Sequence, residues 1–330
     1  MKEKVNRKYF ALIILLAFVA YLIILTNYIA NQVEEDNRFA QRLSRAAEYI
    51  VNRYDPRIGL VSESEDTGSN VPDNTPCYRT FWIYSDNLWA SKALEPYNYF
   101  IARNISKTIS PYIRVFGKPN LFEVVLGEKI TSIRYDRKVF CVGKFTFDSE
   151  NYTIWVDRHH EGDGGIFHDA EEYADLCLYL ALNHYLHGDK ENATRLVRVA
   201  ESMWNGYGFL DKAAKECGLY QNYKLGLYLF TVKALDCNST IYDEVEKVAW
   251  SYQKENGGIA TQSYLNGTIY GTANVETTSI LLLAYNEDLI LRFRKPTIDQ
   301  LQSTAMLTIA ILMIILAYYL IKIRKIVLIP

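Results

Sequence analysis

The sequence predicts a mainly α protein. An extracytoplasmic (α/α) toroid of helical hairpins, incomplete as a ring, carries a small β-meander insert and is held by two transmembrane helices. Three observations predict this. Two long uncharged apolar runs lie near the chain ends, and basic residues sit just outside both. Between them, helices that are apolar on nearly every face recur, each led by a glycine turn.

No charged residue occurs from Tyr9 to Val33 or from Gln300 to Ile321. Each is long enough to cross a hydrocarbon core, which takes about 20 helical residues. Tyr9, Tyr28, Tyr318 and Tyr319 lie near their ends, where amphipathic rings favour the interface. Lys2, Lys4, Arg7 and Lys8 outweigh Glu3 before the first run, a net of +3; Lys322, Arg324 and Lys325 give +3 after the second. The total is −2, so the middle carries −8. The positive-inside rule places both termini in the cytoplasm and the middle outside, in the plasma membrane. Arg292, Arg294 and Lys295 oppose that orientation. The expected organisation is a tail at 1–8, a span at 9–33, an outer domain at 34–298, a second span at 299–321 and a tail at 322–330. The first span is read as uncleaved, because its apolar run exceeds the about 7–15 residues of a signal peptide. Tyr28-Ile29-Ala30 is also a poor cleavage site.

Other features agree with an outside domain. Sequons at Asn104, Asn151, Asn192, Asn238 and Asn266 all fall between the runs, as do all the cysteines. In an oxidising compartment Cys77–Cys141 and Cys217–Cys237 are the expected pairs, although spacing alone fixes no connectivity. Cys177, inside the apolar ADLCLYLAL, reads as a buried thiol. The near-neutral total argues against nucleic acid. No P-loop, Rossmann or GxSxG motif occurs, and no cofactor is expected. The expected partners are membrane lipid and glycans or other surface proteins.

Short β-branched or aromatic runs at Phe122–Leu126, Lys138–Val142 and Tyr152–Val156 suggest a meander over about 112–157. Helical periodicity covers 39–51, 84–95, 98–112, 169–187, 190–204, 219–236, 240–255 and 274–287. Four segments share one plan, a glycine turn, a polar loop and then an apolar helix: Gly59 before Tyr84–Leu94, Gly164-Gly165 before Tyr173–Leu182, Gly208 before Tyr220–Leu229, and Gly257-Gly258 before Asn274–Ala284. A repeated buried helix paired with an amphipathic one is the mark of a ring or solenoid.

Glu48–Leu94, with IGLVSES followed by IYSDNLWASKAL, resembles the six-hairpin glycosidase-like (α/α) toroids, as does GGIATQSYLNGTIYGTANVETTSILLLA at 257–284. Terpenoid cyclases share the superfold. The resemblance spans most of 34–288 outside the β insert, and the helices are fewer than the two per hairpin of a six-hairpin ring. It implies that the loops entering the inner helices gather at one mouth. Asp86, Asp175, Asn222 and Glu276 would stand there at equivalent positions, with Tyr84, Tyr173, Tyr220, Tyr223 and Asn274 nearby. Asp86 and Glu276 become the catalytic pair to test first, with Asp175 as a further candidate, because glycoside hydrolysis uses one protonated and one ionised carboxyl. Tyr84, Tyr173, Asn222, Tyr223 and Asn274 are the candidate substrate contacts. The competing reading is that Ser85, Asp86 and Asn274 only cap helix starts. A non-catalytic scaffold using the toroid as an interaction module is the alternative function.

A second cluster runs from Asp157 to Glu172. His159, His160, Asp163 and His168 are chemically able to ligate a metal, but their spacing matches no metal motif. A solvated loop with a Gly-Gly turn is the expected state, and no metal site.

Overall fold

The computed structural model describes residues 25, 36–131, 137–159 and 168–294. Helix α1 (36–51) leads into a two-stranded ribbon, β1 (Tyr54–Asp55) and β2 (Leu60–Val61). Strand β3 (Thr80–Trp82) passes through a π-helical turn, Ile83–Leu88, into α2 (Trp89–Ala93). Helices α3 (Tyr99–Phe116) and α4 (Asn120–Val125) precede the hairpin of β4 (Arg137–Phe147) and β5 (Glu150–His159). There follow α5 (Ala174–Leu186), α6 (Lys190–Ser202), α7 (Lys212–Cys217), β6 (Leu219–Gln221), α8 (Tyr223–Leu235) and α9 (Tyr242–Ser251). Strands β7 (Ala260–Tyr264) and β8 (Ile269–Ala273) lead to α10 (Val275–Leu283) and α11 (Glu287–Leu291).

Helices α2, α5, α8 and α10 form the centre. They pack in the order α2–α10–α8–α5. Their apolarity on all faces requires burial on all faces. In α8 the residues from Leu225 to Val232 are all buried, Gly226 and Thr231 included. More amphipathic helices cover them: α3 lies on α2, α6 on α5 and α9 on α8. Helix α1 packs against α9 and the turn after α10. Its Phe39 ring packs edge-on to Trp250 and Tyr285, at 5.7 and 5.2 Å between centroids. Helices α8 and α10 approach closely, and Gly226 permits it. A Cβ there would lie 2.7 Å from the Leu281 backbone.

Among the described residues three sheets accompany the helices: β1–β2, β3–β5–β4 and β6–β7–β8. In the second, β3 runs parallel to β5 with Trp82 opposite Trp155, and β4 pairs antiparallel with β5 across a bulge between Cys141 and Gly143. The third is antiparallel throughout.

Several expectations are corrected. In place of a mainly α toroid with one β insert, the chain is about 52% helical and 18% strand, the strands divided among three sheets. Phe122–Val125 is helix rather than strand, with Phe122 stacked on Trp89 at 4.3 Å. Leu219–Gln221 is strand rather than helix, because it pairs with β7. The spans at 9–33 and 299–321, and the tails, lie outside the described residues apart from Leu25. Among the described residues no helix is long and apolar enough to cross a membrane. The membrane-anchored architecture, and with it the plasma-membrane placement with cytoplasmic termini and an extracellular middle, does not stand against that finding. All the cysteines are free, so the pairs Cys77–Cys141 and Cys217–Cys237 do not form. Cys217 is instead turned to the carbonyls of Ala213 and Leu219, and Cys141 to that of Gly143. Cys177 is a buried thiol, its pKa raised by burial to about 12. The sequon residues Asn151, Asn238 and Asn266 are exposed; Asn104 and Asn192 are half-buried on α3 and α6.

Gly226→Ala forces α8 and α10 apart. Its expected cost is about 1–3 kcal/mol, the usual range for overpacking a close contact, and denaturant unfolding of the variant checks it.

Candidate functional site

The polar segment after β2 reaches the start of α10. The Glu63 N–H donates to the Thr80 carbonyl of β3, and the Glu63 carbonyl accepts from the Val275 N–H of α10, both at 2.9 Å. Asn87 ties the π-turn to the same ribbon. Its side chain accepts from the Val61 N–H and donates to the Val61 and Trp82 carbonyls. These bonds bring Glu63, Asp86 of the π-turn, Asp157 of β5 and Glu276 of α10 to one cleft of about 440 Å³, with Asn70, Trp82 and Asn274 on its walls. Both Glu63 oxygens accept hydrogen bonds, from Asn70 Nδ2 at 2.6 Å and Trp82 Nε1 at 3.0 Å.

Asp86 is the unusual member. It is 1% exposed, and its Oδ2 accepts no hydrogen bond. Burial, then the charges of Glu63, Glu276 and Asp157, push its pKa well above the ordinary carboxylate range; the Glu276 backbone N–H donates to it and pulls the other way. A buried carboxyl beside like charges takes the proton because a second unpaired charge in that space is costly. Asp86 therefore holds its proton to higher pH than an ordinary aspartate does, which is what a general acid requires.

The expected pair, Asp86 and Glu276, is thus brought together. Asn274 lines the same cleft and also caps α10, accepting from the Thr277 N–H at 2.9 Å. Asp86 caps no helix of its own: it reaches across to α10. Asp175 is elsewhere. It accepts from the Tyr223 hydroxyl at 2.6 Å and lies 3.4 Å from Lys224 Nζ. Lys224, 3% exposed, donates to Asp211 at 2.5 Å. Asp211 also accepts from the Ala174 and Ala214 N–H groups. This is a structural clamp joining α5, α7 and α8. Asn222 is buried and structural as well, donating to the Ala260 carbonyl and accepting from the Ser263 hydroxyl. Tyr84 is buried beside Phe122 and donates to the Gly117 carbonyl. Tyr173 sits half-buried under Lys212 and does not line the acid cleft. Tyr223 does face an adjoining cavity of about 600 Å³, which shares Glu63, Asn70, Asn274 and Glu276 with the cleft.

Glu63, Asp157, Asn70 and Trp82 were not singled out by the repeat pattern. The signal for Glu63 was an acid directly after the strand IGLVS; for Asp157 it was an acid ending the run TIWV. His168 is exposed, while His160, Asp163 and the His159 side chain lie outside the described residues. Among the described residues no group of His, Cys, Asp or Glu is arranged to hold a metal. No protein family, curated protein or solved structure matches this chain.

Two outcomes follow. The folded chain holds the Asp86 proton to higher pH than the unfolded chain, so folding stability falls as pH rises from the ordinary carboxylate range toward the raised value. Asp86→Asn removes that loss. It is expected to stabilise the chain by about 1–2 kcal/mol near neutral pH, with the gain disappearing near pH ~4; denaturant midpoints at the two pH values check it. Lys224→Met leaves Asp211 and Asp175 buried without their cation, at a cost of about 3–5 kcal/mol read by thermal unfolding.

Proposed function

We propose that this cleft is a carbohydrate site and that the chain is a glycoside hydrolase-like enzyme, with Asp86 as the general acid. Glu276, half-exposed in the cleft, is the second carboxyl, acting on the water or on the sugar itself. The observation that carries the reading is a buried carboxyl with one oxygen free of hydrogen bonds, set among other acids in an open cleft. Trp82 on the cleft wall suits the apolar face of a sugar ring.

One observation favours a non-catalytic binding module instead. Asp86 accepts the Glu276 N–H, as a side chain capping α10 from outside would. The two readings separate in a hydrolysis assay on neutral glycosides. For the enzyme, Asp86→Asn and Glu276→Gln each lower turnover by about a hundredfold or more. The wild-type rate also falls as rising pH removes the Asp86 proton. No hydrolysis by any of the three proteins, with equal glycan binding, leaves only the binding module.

A further inference from the structure

The sheet β6–β7–β8 has one face in the core and one that is not. Tyr220 and Ser263 are opposite each other in the register, and both are buried. Side chains alternate along a strand, so their neighbours point the other way. Gln221 of β6 stands opposite Gln262 of β7, which stands opposite Tyr270 of β8. These three line the cavity that adjoins the acid cleft. Tyr264, two residues beyond Gln262, continues the same face, and its ring lies 5.0 Å from that of Tyr270. Both tyrosines are nearly half exposed, at 45% and 43%. At the hairpin tip Gly267 sits directly against Tyr207, itself exposed, so the aromatic strip runs on past the sheet.

Amides beside exposed rings form a surface that can bind hydroxyl groups and stack on sugar faces together. The strip is continuous with the acid cleft, because the two cavities share Glu63, Asn70, Asn274 and Glu276. Asp66 adds a further carboxyl to the lining, which disfavours an anionic chain.

Resting on the carbohydrate reading above, we propose that this sheet face is an extended binding wall for a neutral oligosaccharide. Successive sugars stack on Tyr270 and Tyr264, and the bond to be cleaved lies at Asp86. The wall sets chain-length preference, and the acids set the chemistry.

The test uses the full chain, in its wild-type and Asp86→Asn forms, titrated with neutral oligosaccharides from monosaccharide to hexasaccharide. Hydrolysis of a short neutral glycoside is measured beside it. Affinity should rise with chain length. Tyr270→Ala and Tyr264→Ala should each weaken binding of the longest chain about tenfold and flatten the rise of affinity with chain length. Gln262→Ala should act in the same direction. Both tyrosines are surface residues, and circular dichroism verifies that the variants fold. Affinity independent of length, or length dependence unchanged in the tyrosine variants, overturns the wall while hydrolysis of the short glycoside keeps the acid site. If no glycan of any length is bound or cleaved, both readings fall.

Discussion

The first turn of α10 leaves backbone N–H groups that no helical carbonyl can reach, and their partners come from three parts of the chain. Val275 donates to the Glu63 carbonyl, Glu276 to the Asp86 carboxyl and Thr277 to the Asn274 side chain. Buried N–H groups left unpaired cost about 1–3 kcal/mol each, so these bonds fix where the ribbon, the π-turn and α10 meet. The cleft is the space they enclose. Tyr49, donating to the Ala273 carbonyl just upstream, pins the same junction from α1.

This constraint sets two forces against each other at Asp86. A helix N-terminus favours a negative partner by about 0.3–1 kcal/mol at exposed sites and up to about 2 in partly buried ones. Removing a carboxylate from water costs several kcal/mol unless it is fully paired. One oxygen of Asp86 meets the helix and the other meets nothing, and the surrounding side chains are acids. Burial and like charge therefore win, and the proton stays. Lys224 is equally buried, but two carboxylates stand within ion-pair distance and it serves the fold.

The central helices were legible because a helix apolar on every face has only one kind of place to go. Their spacing also paired Asp86 with Glu276, since both sit just inside the start of an inner helix. Glu63 and Asp157 were not legible. They stand on or beside strands whose neighbours are chosen by tertiary pairing, and nothing local in IGLVSES or TIWVDR fixes which cleft they face. Phe122–Val125 shows the limit from the other side. A short apolar run has no period long enough to separate strand from helix, and stacking of Phe122 on Trp89 decided it. Asp175 followed the repeat but not the role, because Lys224 and Tyr223 from the next helix occupy it.

Strand-to-helix junctions unify these features. β3 runs into the π-turn that holds Asp86, β6 into α8, and β8 into α10. At each, the polar residues next to the junction face the cleft or its adjoining cavity: Trp82 and Asp86, Gln221 and Tyr223, Asn274 and Glu276. The second junction is locked by Asn222, whose N–H and side chain bond to Thr261, Ala260 and Ser263 of β7. The third is locked by the bonds to Glu63 and Asp86. A strand fixes its residues by register and a helix start fixes its own by capping, so the backbone and these capping side chains together set the distance from the sheet face to the acids. Asp86 and Glu276 are thus held in the cleft by elements whose positions strand register and helix capping fix.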